Sequence, residues 1–136
     1  EMLQRAEKRA ARTGSDNYRL RVGDAYDLDL PNDSFDVLLN NYMFDLLPEQ
    51  DFLTVLDEFK RVLRPGGRLA MVNMTIGENW YNGLWQRIYR LNPALLGGCR
   101  GVSLLALLQR CGFGHTSRHY MSQCTFPSEV VYGVAP

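Results

Sequence analysis

The sequence predicts an α/β fold: one layered sheet with a helix packed on it and an antiparallel hairpin at its C-terminal end. Three observations predict this. Two almost wholly apolar runs, 35–39 and 69–74, flank an amphipathic run at 48–63, and strand, helix, strand alternation of that kind builds an α/β layer. A run at 18–22 alternates apolar and polar side chains, as a half-exposed edge strand does. Near the end, 115–124 and 128–134 read as two strands with Pro127 in the short gap between them, which suits a hairpin.

Taken in order, residues 1–13 read as a helix with Met2, Leu3, Ala6 and Ala10 as its apolar stripe and Gly14 as its stop. No N-cap and no initiating methionine precede it, so the chain reads as the interior of a longer protein. The edge strand at 18–22 leads into a polar loop, 23–34, with a turn at Pro31-Asn32-Asp33. The continuous apolar run 35–39 predicts a strand buried on both faces. In 48–63, Phe52, Val55, Leu56, Phe59, Val62 and Leu63 follow helical spacing. Pro48 suits the first turn, Glu49 and Asp51 sit near the positive end, and Lys60, Arg61 and Arg64 sit near the negative end. Pro65-Gly66-Gly67 stops the helix before the second buried strand, 69–74. Residues 79–91 are amphipathic and rich in Trp and Tyr, and Asn92-Pro93 and Gly97-Gly98 break the chain after them. Ser103 is the expected cap of a short helix through Cys111, closed by Gly112-Phe113 as a Schellman motif.

The composition of the 136 residues, 46% apolar and 22% charged with zero net charge, excludes a disordered tail, a collagen-like fibre and a uniformly basic nucleic-acid binder. No apolar run approaches the roughly 18 to 20 residues of a membrane span, and no basic-then-apolar leader opens the chain. Cys99, Cys111 and Cys124 lack metal-ligand spacing and read as free thiols in a reducing cytoplasm. Zero net charge hides an asymmetry. Residues 24–59 carry ten acids and no base, whereas 60–136 carry nine bases and two acids. The acidic stretch repels a phosphate backbone locally and suits a cationic ligand, or is simply a solvated face.

Asp24, Ala25, Asn40, Asn41 and Tyr42 stand at or just past the ends of the first two expected strands. Ligands of open α/β sheets bind outside the carboxyl ends of their strands. A carboxylate there can accept a hydrogen bond from an exocyclic amine, and a small neighbour lets a flat ring approach. Asp24 equally reads as a turn residue after Gly23, and Asn40 as a strand-end cap. Asp45, the nearest carboxylate after the second strand, reads as a surface acid before a helix rather than a catalytic base. His115 and His119, four apart on a strand, would lie roughly 13 Å from each other, too far for one metal ion. Asp24, Asp27, Asp29 and Asp33 lack the spacing, glycine and final glutamate of a calcium loop. Gly66-Gly67 lacks the lysine and hydroxyl of a phosphate loop.

The order of these pieces resembles the class I S-adenosylmethionine-dependent methyltransferases. Gly23-Asp24-Ala25, Leu30-Pro31 and Ser34-Phe35-Asp36-Val37 are followed by Arg61-Val62-Leu63-Arg64-Pro65-Gly66-Gly67-Arg68-Leu69. The resemblance covers residues 1–75 well and the C-terminal hairpin more loosely. It implies a Rossmann-like, mostly parallel sheet whose last strand is antiparallel, with 18–22, 35–39 and 69–74 as its third, fourth and fifth strands. The family's first two strands, its glycine-rich cofactor loop and its acidic ribose ligand have no counterpart. The chain is thus expected to be one N-terminally incomplete domain in which 35–39 exposes an edge open to a second copy.

By resemblance, Met2 packs on the adenine ring of S-adenosylmethionine, Asp24 accepts from its amino group and the Ala25 amide donates nearby. Asn40 contacts the methionine end, Asn41 is also assigned to the cofactor site, and no catalytic residue or metal is assigned. Tyr42 lines the substrate side, with Trp80, Tyr81 and Trp85 walling an apolar pocket, lying on a lipid surface, or only packing over the sheet. The implied activity is methyl transfer to a small-molecule or lipid-like acceptor in the cytoplasm. The alternative is a non-catalytic remnant that associates through its sheet edge.

Overall fold

The computed structural model describes residues 1–75, 101–123 and 126–136. Its elements are helix α1 (Met2–Ala11), strand β1 (Phe35–Asn41), a 3-10 turn (Glu49–Asp51), helix α2 (Phe52–Val62), strand β2 (Leu63–Met74), helix α3 (Leu105–Arg110), and strands β3 (Gly114–Gln123) and β4 (Phe126–Val134). The expected strand at 18–22 forms no ladder. An extended segment joins a sheet only by pairing its N–H and C=O groups with a neighbour, and these residues have no neighbouring strand among the described ones. Arg21 instead donates to the Asp29 carbonyl at 2.8 Å.

The sheet order is β1-β2-β4-β3. β1 and β2 are parallel, and β4 runs antiparallel to both β2 and β3. β1, β2 and β3 therefore point one way and the last strand points back, as the resemblance implies. β1 lies at the expected edge, but it is not buried on both faces: Leu39 is 70% exposed. Helices cover one face of the sheet at this end, and the side of Val37 and Leu39 stays open.

Strand β2 begins six residues earlier than the sequence predicts, directly after α2. Phe35 pairs with Leu63 while Val37 already pairs with Arg68, so 64–67 bulges out of the ladder. Gly66 takes the left-handed φ of 78° that the bulge needs. Gly66 N–H donates to the Ala135 carbonyl at 3.1 Å and Ala135 N–H donates to that of Gly67 at 2.8 Å, which ties the bulge to the C-terminal residues.

The core lies between the sheet and α2 with α3. Phe52, Val55, Leu56, Phe59 and Val62 of α2 are all buried, on the stripe that the periodicity predicts. Each such side chain stabilises the fold by about 1.5–3 kcal/mol. Phe44 stands edge-on to Phe52 and Phe59, with ring centroids 5.3 and 6.0 Å away. α1 behaves differently, since none of its residues is buried. The N-cap of α3 is Leu104, not Ser103, and no side chain of its own caps it. The Leu104 amide instead donates to Glu129 Oε1 at 3.2 Å, so a carboxylate from β4 serves that end. At its other end Gly112 (φ 88°) donates to Gln109 and Phe113 to Leu108, the expected Schellman pair.

Candidate functional site

The loop 24–34 is irregular in conformation but densely bonded. Asp24 Oδ1 accepts from the Tyr26 amide at 3.0 Å, closing an Asx turn that leaves Ala25 at its tip. The Tyr26 hydroxyl donates to Asp51 Oδ2 at 2.9 Å, and this bond holds its pKa above the usual phenol value. Further along, Glu58 Oε1 accepts from the Leu28 amide at 2.7 Å. Arg61 donates to the carbonyls of Leu28 and Leu30, both at 2.9 Å, and to Asn32 Oδ1 at 2.6 Å. Its remaining N–H groups grip Glu58 at 2.6 and 2.9 Å. These bonds from Arg61 hold the Glu58 carboxyl down to about 2, with the Leu28 amide assisting and burial opposing.

A hollow of about 420 Å³ opens between this loop and the edge of β1. Ala25, Leu28, Leu38, Leu39 and Met43 make most of its wall apolar, and Gly23 and Arg21 stand at its rim. The wall suits a flat, weakly polar ring. Asp24 itself is not among the lining residues; its neighbours Gly23 and Ala25 are. Met2 is elsewhere: it is 87% exposed on α1, in a shallow groove with Arg5 and Arg9.

β1 delivers Asn40 and Asn41 to opposite faces of the sheet. Asn40 is buried; its amide nitrogen approaches Met43 Sδ at 3.5 Å and its Oδ1 has no hydrogen-bond partner among the described residues. Asn73, on β2, is fully buried with neither amide atom partnered among the described residues. Buried orphan polar atoms are uncommon, and here two residues carry them at the carboxyl ends of adjacent parallel strands. Asn41 is exposed on the open face. Tyr42 takes a left-handed φ of 50°, rare for an aromatic residue. Its amide donates to the Val72 carbonyl at 2.7 Å and its hydroxyl lies 3.0 Å from Ser128 Oγ. Asp45 is not the surface acid the sequence suggests: it is 1% exposed, carried inward beside Phe44. Trp80, Tyr81 and Trp85 lie outside the described residues.

Sequence reasoning missed a second polar cluster at the same end. Glu129 is fully buried in β4. It accepts from Arg118 Nε at 2.5 Å and from the Leu104 amide, and lies 3.0 Å from Thr75 Oγ1. Thr75 Oγ1 also donates to the Val102 carbonyl at 2.9 Å, and the Val102 amide donates to that of Met74 at 3.0 Å. The chain leaving β2 and the chain entering α3 are thus joined at one buried carboxylate. Among the described residues, no helix is long and apolar enough to cross a membrane.

The hollow lies beside the carboxyl half of the parallel strand β1, and in open α/β proteins the crevice outside the carboxyl ends of the strands is the ligand end. Residues 1–67 match the family model described as a methyltransferase domain. The chain is 30% identical over 118 residues to arsenite methyltransferase of Halobacterium salinarum, covering 83% of this chain and 28% of that protein. It is 35% identical over 74 residues to phosphatidylethanolamine N-methyltransferase of Cereibacter sphaeroides, covering 54% and 36%. With demethylmenaquinone methyltransferase of Bacillus velezensis it shares 37% over 77 residues, covering 57% and 32%. The chain thus spans little more than a third, or less, of each of these relatives. The fold is shared with the S-adenosylmethionine-dependent methyltransferase SibL (TM-score 0.75, 19% identity, 98% of this chain and 40% of that one) and with YcgJ of Bacillus subtilis (0.73, 18%, 98% and 77%). This chain belongs to the class I S-adenosylmethionine-dependent methyltransferases, whose cofactor is S-adenosylmethionine.

Proposed function

We propose that the chain forms the adenosine-binding and acceptor-facing part of a methyltransferase acting on a small-molecule or lipid-like acceptor. The observation that carries this reading is the apolar hollow beside β1, lined by Gly23 and Ala25, the two neighbours of Asp24 in the turn. In this reading, Asp24 accepts from the adenine amino group through its second carboxylate oxygen, the Ala25 amide donates to the ring, and Leu38, Leu39 and Met43 lie against it. Asn40 faces the methionine end, with its orphaned oxygen as an acceptor for the ammonium; Asn41, on the opposite face, is assigned to the cofactor site by the resemblance alone. Met2 joins the adenine wall only if α1 docks across the hollow. No glycine-rich loop that would cradle the methionine part is present in the sequence.

The bound cofactor supplies an electrophilic sulfonium methyl group, and the protein's contribution is to align it with a nucleophile and exclude water. Tyr42, with Trp80, Tyr81 and Trp85, faces the acceptor. The acceptor class is supported by relatives named for arsenite, phosphatidylethanolamine and demethylmenaquinone. The ten-acid stretch, 24–59, argues against nucleic acid as the acceptor, and the free-thiol reading of the cysteines favours a cytoplasmic protein. A second reading, association without catalysis, is favoured by the β1 edge, which is unpaired among the described residues, with exposed Val37 and Leu39.

Calorimetric titration with S-adenosylhomocysteine tests the proposal. Saturable binding that weakens at least tenfold in Asp24→Ala supports it. Absence of binding, together with a concentration-dependent dimer, would support the second reading.

A further inference from the structure

We propose that Arg61 and Glu58 are positioning residues for S-adenosylmethionine: without touching it, they hold the 24–34 loop in the shape that receives the adenosine end. The inference rests on the reading of Asp24 and Ala25 given above. The loop contains no helix or strand, only the isolated Asp24–Asp27 bridge. Ordering such backbone costs about 1–2 kcal/mol per residue, so something must hold it. α2 does so along one stripe. Asp51, at the N-cap of α2, and Glu58 and Arg61 on it are spaced i, i+7 and i+10, which places them on one side of the helix, flanking the buried stripe of Phe52, Val55, Leu56, Phe59 and Val62.

All five N–H donors of Arg61 are used: two on Glu58, three on Leu28, Leu30 and Asn32. Glu58 in turn receives the Leu28 amide. The loop's far end is fastened to the same stretch of helix, with the Asp33 amide on the Arg61 carbonyl at 3.0 Å and the Ser34 amide on that of Val62 at 2.9 Å. Tyr26, two residues from Asp24, is fastened to Asp51. A partly exposed ion pair kept for stability alone needs one or two contacts and contributes little. A planar fork satisfied at every donor fixes geometry, and a lysine cannot reproduce it.

The test is titration of the full-length protein with S-adenosylhomocysteine, paired with steady-state kinetics. Arg61→Lys is expected to weaken binding about tenfold, the factor that follows if the competent loop is populated about a tenth of the time. KM for S-adenosylmethionine rises in parallel, while kcat at saturation holds. Tyr26→Phe, which removes one hydroxyl at an exposed position and leaves the core intact, weakens binding about two- to threefold by the same population argument. Asp57→Ala, on α2 but facing Lys60, leaves affinity unchanged. If Arg61→Lys does not fold, Tyr26→Phe decides. Affinity unchanged in both variants, with Asp24→Ala weakened, overturns the positioning role and keeps the site; no effect of Asp24→Ala, or no binding by the unaltered protein, overturns both.

Discussion

The Glu129 carboxylate, wholly shielded from solvent inside β4, is neutralised by the Arg118 guanidinium 2.5 Å away on β3, which itself remains 26% exposed. The two ends of this pair are not equivalent. Arg118 can rehydrate if its partner is removed, whereas Glu129 cannot. Removing one member of a buried pair typically costs about 3–5 kcal/mol, because the other is left uncompensated. Arg118→Leu is therefore expected to lose about that much, and Glu129→Gln less, since its amide oxygen still accepts from the Leu104 amide. The double variant Arg118→Leu/Glu129→Gln should be more stable than Arg118→Leu alone. Urea midpoints of the three proteins check the order, and a double variant no better than Arg118→Leu would show that Glu129 is not the strained partner.

The Glu58–Arg61 pair gives a pH dependence with a definite sign. Its carboxyl titrates near 2 in the folded chain, below the usual glutamate value. Between the two values the unfolded chain binds more protons, so stability rises with pH there. The contribution is fully present above the unfolded value, about 4.3, and fades as pH falls towards 2. Denaturation midpoints of wild type and Glu58→Gln should differ at pH 7 and converge as pH falls from about 4.3 towards 2, the unfolded and folded values that set the window. A gap that stays constant across this range would remove Glu58 as its source.

Much of this arrangement was legible in the sequence, because it follows from periodicities within single elements. The apolar stripe of α2, the Schellman closure at Gly112-Phe113 and the placing of Asn40 and Tyr42 at a strand end all belong to that class. The run 18–22 misled because alternation says what a strand would bury, not whether a neighbour exists to pair with it. Asp45 misled because the inward turn of Phe44 is set by Phe52 and Phe59, not by local pattern. The Arg61 fork has targets about thirty residues away, and no spacing rule connects them. Glu129 did leave a trace, as the lone acid within 126–134, but Arg118 and Thr75 become its partners only once the hairpin folds onto β2.

Phe44 anchors the strand end that carries the site. It is fully buried and packs edge-on to two rings of α2. Phe44→Ala removes both ring contacts and leaves a cavity, at an expected cost of about 3–5 kcal/mol. Phe44→Leu retains most of the volume, and about half of that loss is expected. Thermal unfolding of the two variants distinguishes a packed anchor, with this graded response, from a ring held only by its backbone.

Tyr42, proposed above to face the acceptor, combines a left-handed φ with a hydroxyl contact to Ser128. A left-handed φ costs a residue with a Cβ about 1–2 kcal/mol, a cost that glycine avoids. Here it is sustained by the 2.7 Å amide bond to Val72 and by the hydroxyl contact to Ser128. Strain retained at a strand end marks function more often than stability. Tyr42→Gly relieves the backbone while losing the ring's contacts, so the two effects offset and stability should stay within about 1 kcal/mol of wild type. Acceptor turnover, in contrast, should fall at least about tenfold in kcat/KM, which is about 1.4 kcal/mol of lost transition-state stabilisation. Tyr42→Phe keeps the ring and isolates the hydroxyl, and it should share its smaller defect with Ser128→Ala. S-adenosylhomocysteine affinity serves as the internal control, because the turn proposed for the adenosine end lies beyond the β1 edge whereas the Tyr42 contacts run to β2 and β4. A Tyr42→Gly protein that loses cofactor affinity and acceptor turnover together would place Tyr42 in the cofactor site instead.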